Sequence, residues 1–226
     1  MSELARHDTP YGVVEREAPE LLGANLRVGS YLLSSAAVFF FLPFFFAYFY
    51  LRSLDKHAVF RPKHVDPSLT LGTLAAAAVI GAAVLLWLGL ADHRADRRPA
   101  WRVKGAVALA LLLASAGLQI AEWATQGFGP TDGAYASVYV GWTGMQVLFV
   151  LGVAFWLETT LATSLRFRNT PWGTKAPPGA TGDSSRPGPD IRDPLSLVRP
   201  EIDALSFFAA SIGAVALVTW LVLYVL

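Results

Sequence analysis

Polar residues along the chain are confined to a few stretches, and between them run five apolar segments of about 20 residues or more. They cover roughly 28–51, 69–91, 105–124, 134–164 and 204–226. A helix rises about 1.5 Å per residue and a bilayer's hydrocarbon core is about 30 Å thick, so each segment is long enough to cross it. The pattern predicts an all-α, polytopic bundle of five transmembrane helices. The corresponding division is an N-terminal arm at 1–27, helices one to four at 28–164, a proline-rich loop at 165–203 and helix five at 204–226. The arm carries Glu3, Asp8, Glu15, Glu17 and Glu20 rather than a short basic region, so the first segment reads as a permanent span and not a signal peptide.

Basic residues set the expected orientation. With five spans the arm, the second loop and the fourth loop share one face. They hold three (Arg6, Arg16, Arg27), five (Arg94, Arg97, Arg98, Arg102, Lys104) and six (Arg166, Arg168, Lys175, Arg186, Arg192, Arg199) of the Lys and Arg residues. The opposite face has four, Arg52, Lys56, Arg61 and Lys63. The bias predicts a cytoplasmic N-terminus. The third connection, Gln126 to Gly133, is short and without a basic residue, which predicts a tight hairpin of spans three and four. The fourth loop carries Pro171, Pro177, Pro178, Pro187, Pro189, Pro194 and Pro200 among Gly, Ser and Asp, a composition that reads as extended or disordered.

Composition narrows the chemistry. The chain has 226 residues, 54% hydrophobic and 15% charged, with 18 Lys and Arg against 17 Asp and Glu. No basic face exists for nucleic acid. There is no cysteine, and the four histidines (His7, His57, His64, His93) stand in polar stretches, so no buried redox metal is expected in this chain.

Within the spans, Phe39, Phe40, Phe41, Phe44, Phe45, Phe46, Tyr48, Phe49 and Tyr50 surround Pro43, which reads as a lipid- and partner-facing aromatic surface. The second span has small residues four apart, such as Ala77 and Gly81, a spacing that lets helices approach closely. In the third, Gln119 and Glu122 share a face with Ser115 and Gln126. An intramembrane acid is costly and normally has a partner or a task, so Glu122 is either hydrogen-bonded to the start of span four, near Tyr135, Ser137 or Tyr139, or engaged in proton transfer. Span four carries a stripe of Tyr135, Tyr139, Thr143 and Gln146. Gln146 falls about 18 Å below the outer surface and is expected to hydrogen-bond inside the bundle. Glu158, near the cytoplasmic end, is expected to pair with Arg166 or Arg168 or to sit at the interface. Span five has no charge and is expected only to pack. Gln119, Glu122, Tyr135, Thr143, Gln146 and Glu158 are thus candidates for structural, lipid or partner packing. No catalytic, cofactor-binding or metal-binding residue is assigned.

Three stretches, RVGSYLLSSAAVFFFLPFFFAYFYLRS, LLLASAGLQIAEW and GFGPTDGAYASVYVGWTGMQVLFVLGVAFW, resemble subunit III of the haem-copper oxygen reductases in its five-helix form. The order of Gln119, Glu122, Gly127, Asp132, Gly133, Tyr135, Ser137, Thr143 and Gly144 is similar to the family's own. Three features depart from it. The family's glutamate in the first of these spans falls on Ala36, its two histidines after the Thr-Gly pair fall on Gln146 and Phe149, and its Trp-His-Phe-Val-Asp element falls on Ala209 to Gly213. The resemblance implies an accessory subunit of an aerobic respiratory oxidase, not an enzyme by itself, in a bacterial cytoplasmic membrane. Its partners would be the catalytic subunit I, subunit II and membrane lipids, with haems and copper held by those subunits. An accessory subunit of a nitric oxide reductase is the nearest alternative, and a small membrane transporter a more distant one.

Overall fold

A computed structural model describes residues 19–55, 59–166 and 198–226, and all statements below concern these residues. The fold is all-α. Its helices are α1 (Pro19–Ser53), α2 (Leu69–Arg94), α3 (Arg98–Thr125), α4 (Ala134–Arg166) and α5 (Val198–Trp220), the last running into a π-helical turn at Leu221–Val225. All five are long and apolar enough to cross a membrane. Of the predicted proline-rich loop, only 165–166 and 198–203 lie within the described residues.

The helices run past the hydropathy limits. α1 begins at Pro19, inside the predicted arm, and α5 begins at Val198, inside the predicted loop. Backbone hydrogen bonding continues through the charged residues Arg27, Glu201 and Asp203, which a hydropathy window reads as the end of a span. Proline in the first turn is compatible with both starts, since its missing N–H has no intrahelical acceptor there. α3 likewise starts at Arg98, with Pro99 in its first turn. Ser68 caps α2 by accepting from the Leu71 N–H at 3.3 Å. The α2–α3 turn places Asp96 at φ 56°, a left-handed conformation that the short Asp side chain tolerates.

α5 lies between α1, α2 and α4, and α2 runs along α3. Half of the most apolar stretch of α5 is buried, against 22% for α1, so α5 is the central helix and α1 the peripheral one. Contacts on α2 differ from the expected small-residue pair. Ala77 is exposed, and the packed face is Gly72, Ala75, Val79, Ala82, Ala83 and Leu86. A Cβ on Gly213 of α5 would stand 3.1 Å from the Ala83 methyl, the close approach that small residues permit.

The interior divides along the bundle axis. One half is aliphatic, built on Leu86, Leu112, Val153, Leu157, Leu205 and Ile212 around Trp101. The other is aromatic, with Tyr48, Phe60, Tyr135, Tyr139 and Trp142 buried together. Phe60 and Val65, from the connection after α1, fold onto that end, and the Phe60 ring meets Tyr48 edge-on at 5.4 Å and Tyr135 at 5.8 Å.

Candidate functional site

The polar residues of the aromatic half converge from three helices. Residues three and four apart share a helix face, so Ser115, Gln119 and Glu122 line one side of α3, while Tyr135, Tyr139, Thr143 and Gln146 line one side of α4. Gln119 Nε2 donates to Glu122 Oε2 at 3.0 Å and to the Tyr139 hydroxyl at 3.3 Å. The Tyr224 hydroxyl donates to the same Glu122 oxygen at 2.8 Å and lies 3.1 Å from the Tyr139 hydroxyl. Because Tyr224 spends its proton on Glu122, Tyr139 is the donor between the two tyrosines. The four side chains form a closed, directional ring of hydrogen bonds. Glu122 is 1% exposed, and its second oxygen, Oε1, has no hydrogen-bond partner among the described residues.

Below this ring, Thr143 accepts from Trp123 Nε1 at 3.1 Å and donates to the Tyr139 carbonyl at 2.7 Å. Gln146 is buried, as the sequence predicts, and its Oε1 lies 3.5 Å from the Thr219 hydroxyl, whose proton goes to the Val215 carbonyl at 2.8 Å. Gln146 Nε2 is buried without a partner among the described residues. Ser115 donates to the Ala75 carbonyl at 2.9 Å, joining α3 to α2. A partly open cavity of about 30 Å³ lies among Ser115, Gln119, Thr143, Gln146, Thr219 and Tyr224, with small residues of α2 lining its apolar side.

The candidate residues do not all meet. Tyr135 donates to the Leu223 carbonyl at 2.5 Å and stacks on Tyr139, with the Arg61 guanidinium 4.8 Å from its ring centroid. It anchors the end of the last helix and does not reach Glu122. Ser137 also leaves the acid, donating to the Pro130 and Gly133 carbonyls at 2.5 and 3.1 Å. Gln126 lies past the end of α3 and donates to the Phe128 carbonyl at 3.2 Å. Glu158 is exposed on α4, away from the cluster, and Arg168 lies outside the described residues.

Span five does more than pack. Tyr224, Thr219 and Trp220, whose Nε1 donates to Thr73 at 2.9 Å, supply the polar side of the central helix. Five residues separate Thr219 from Tyr224, which on an α-helix turns them about 140° apart. The π-helical turn at Leu221–Val225 adds the residue that brings Tyr224 back to the Thr219 side. Gly72 makes the room for it, since a Cβ there would fall 2.2 Å from the Tyr224 ring.

No protein-family model matches this chain, and no curated protein does. At the opposite end the polar residues are ionic. Asp92 is bracketed by Lys104 Nζ at 2.5 Å and Arg97 at 2.6 Å, and Asp203 of α5 by Arg94 at 3.0 Å and Arg27 at 3.8 Å. Arg102 donates to the Ser164 hydroxyl and carbonyl at 3.0 and 2.8 Å, tying α3 to α4. His93 is buried beside this end, its ring 6.0 Å from that of Trp101. Among the described residues no three His, Asp or Glu side chains are grouped as a metal would need. The geometry therefore offers hydrogen-bonded helix association and a buried carboxyl.

Proposed function

We propose that this protein is a non-catalytic accessory subunit of a respiratory haem-copper oxidase, of the subunit III kind, packing beside the catalytic subunit in a bacterial cytoplasmic membrane. The observation that carries the reading is the convergence of Gln119, Glu122 and Tyr139 on one buried ring. These residues lie within stretches that resemble the family, and their contacts are mutual packing contacts between helices. The exposed ridge of α1, where Phe39 is 69% and Phe46 68% exposed, supplies an apolar face for lipid or for the catalytic subunit. Haems and copper belong, on this reading, to subunits I and II. The N-terminus is cytoplasmic, because Arg27, Arg94, Arg97, Arg98, Arg102, Lys104, Arg166 and Arg199 gather toward one end of the bundle.

The second reading, an accessory subunit of a nitric oxide reductase, draws on the departures at Ala36, Gln146 and Phe149. One experiment separates them. The tagged chain is purified from its native membrane in mild detergent, its partners are identified by mass spectrometry, and the reduced-minus-oxidised spectrum and gas consumption are recorded. Haem bands with oxygen uptake are expected. Consumption of nitric oxide alone moves the assignment to the second reading, and a colourless chain without haem-protein partners overturns both.

A further inference from the structure

The cavity beside Gln146 has a defined hydrogen-bonding demand. Ser115, Thr143, Thr219 and Tyr224 have each committed their hydroxyl proton to a carbonyl or carboxyl oxygen. Both protons of the Gln119 amide are likewise used. What remains is one buried donor without an acceptor, Gln146 Nε2, on a side chain 9% exposed, facing a wall of hydroxyl oxygens that can still accept. An anion would find a single donor. Water both accepts and donates, and a cavity of about 30 Å³ has room for one or two molecules. Tyr224 belongs to the cavity wall and also donates to Glu122, so it is the junction between the two.

We propose that this cavity is a water-binding site, and that its water exchanges protons with the Glu122 carboxyl through the Tyr224 hydroxyl. In the protonating direction a hydronium in the cavity gives a proton to the Tyr224 oxygen as the Tyr224 proton passes to Glu122 Oε2. Carboxylate and hydronium become carboxylic acid and water, the tyrosine is regenerated, and no electron moves. The inference concerns this chain's own interior and does not depend on which complex it joins.

The test uses the full chain in lipid nanodiscs. Water-edited solid-state NMR is expected to show transfer from water to the Gln146 side-chain amide. Infrared spectroscopy at an acid pH, where Glu122 carries its proton, then follows the carboxyl band after transfer to D₂O, with the band assigned by its loss in Glu122→Gln. Tyr224→Phe keeps the ring that fills the Gly72 notch and removes only the hydroxyl, and it should slow this exchange at least about tenfold. Tyr135→Phe, whose hydroxyl goes to the Leu223 carbonyl and not to the Glu122 ring, should exchange close to the wild-type rate. A Gln146 amide without water contact overturns the proposal, and so does a folded Tyr224→Phe chain that exchanges as fast as wild type.

Discussion

Individual side chains in this bundle are held by fit and by hydrogen bonds, because lipid removes most of the hydrophobic drive between helices. Gly72 is the sharpest case of fit. Gly72→Ala puts a methyl into the Tyr224 ring, and the resulting overpacking should cost about 1–3 kcal/mol, read as a lower Tm in detergent. Gly81→Ala, whose nearest neighbour would be a Leu111 methyl at 3.6 Å, should leave Tm unchanged or raise it. Tyr135→Phe removes the bond to the Leu223 carbonyl and should cost about 1 kcal/mol, the upper range of interhelical hydrogen bonds measured in membranes, without disturbing the Glu122 ring. The acid and its Gln119 partner were legible in the sequence, since three-residue spacing on a helix is a local property. Tyr224 was not. Its partner lies 102 residues away, and the register that joins them depends on a π-helical turn that no residue pattern announces.

At the scale of elements, the five spans were legible because about 20 apolar residues in a row have few other uses, whereas their ends were not. Helices continue into charged turns wherever ion pairs hold them, as Asp203 does with Arg94 and Arg27, and a hydropathy window stops short of such turns. Which face of α2 packs was not legible from small-residue spacing. Ala77 and Gly81 satisfy the four-residue rule, but the chain contains several overlapping sets of small residues, and the partner helices choose among them. Replacing Phe39 and Phe46 by alanine should leave the Tm of the isolated chain nearly unchanged, because both rings stand outside the bundle, and, under the proposed function, should reduce the yield of co-purified catalytic subunit. Equal recovery of the complex would move the docking surface to another helix.

For the whole molecule, the two ends of the bundle are chemically distinct, one ionic and one aromatic, and this polarity bears on how the chain sits in the membrane. The absence of cysteine makes the orientation directly readable. A single cysteine at Lys63 should react with a membrane-impermeant maleimide added to intact cells, and one at Arg98 only after the membrane is opened; the reverse order would invert the proposed topology. The helices α1 and α4, with 35 and 33 residues, run about 50 Å, well beyond a hydrocarbon core of about 30 Å, so they tilt or extend past it at the ionic end. The turn at Leu221–Val225 carries a further consequence. Because it holds one residue more than an α-helical turn, the aim of Tyr224 is encoded in chain length rather than in side-chain identity. Adding one more residue there would swing the tyrosine about 100° away from Glu122 while leaving every amino acid of the cluster in place, whereas removing one would restore the four-residue α-helical spacing and keep it within about 40° of the Thr219 side.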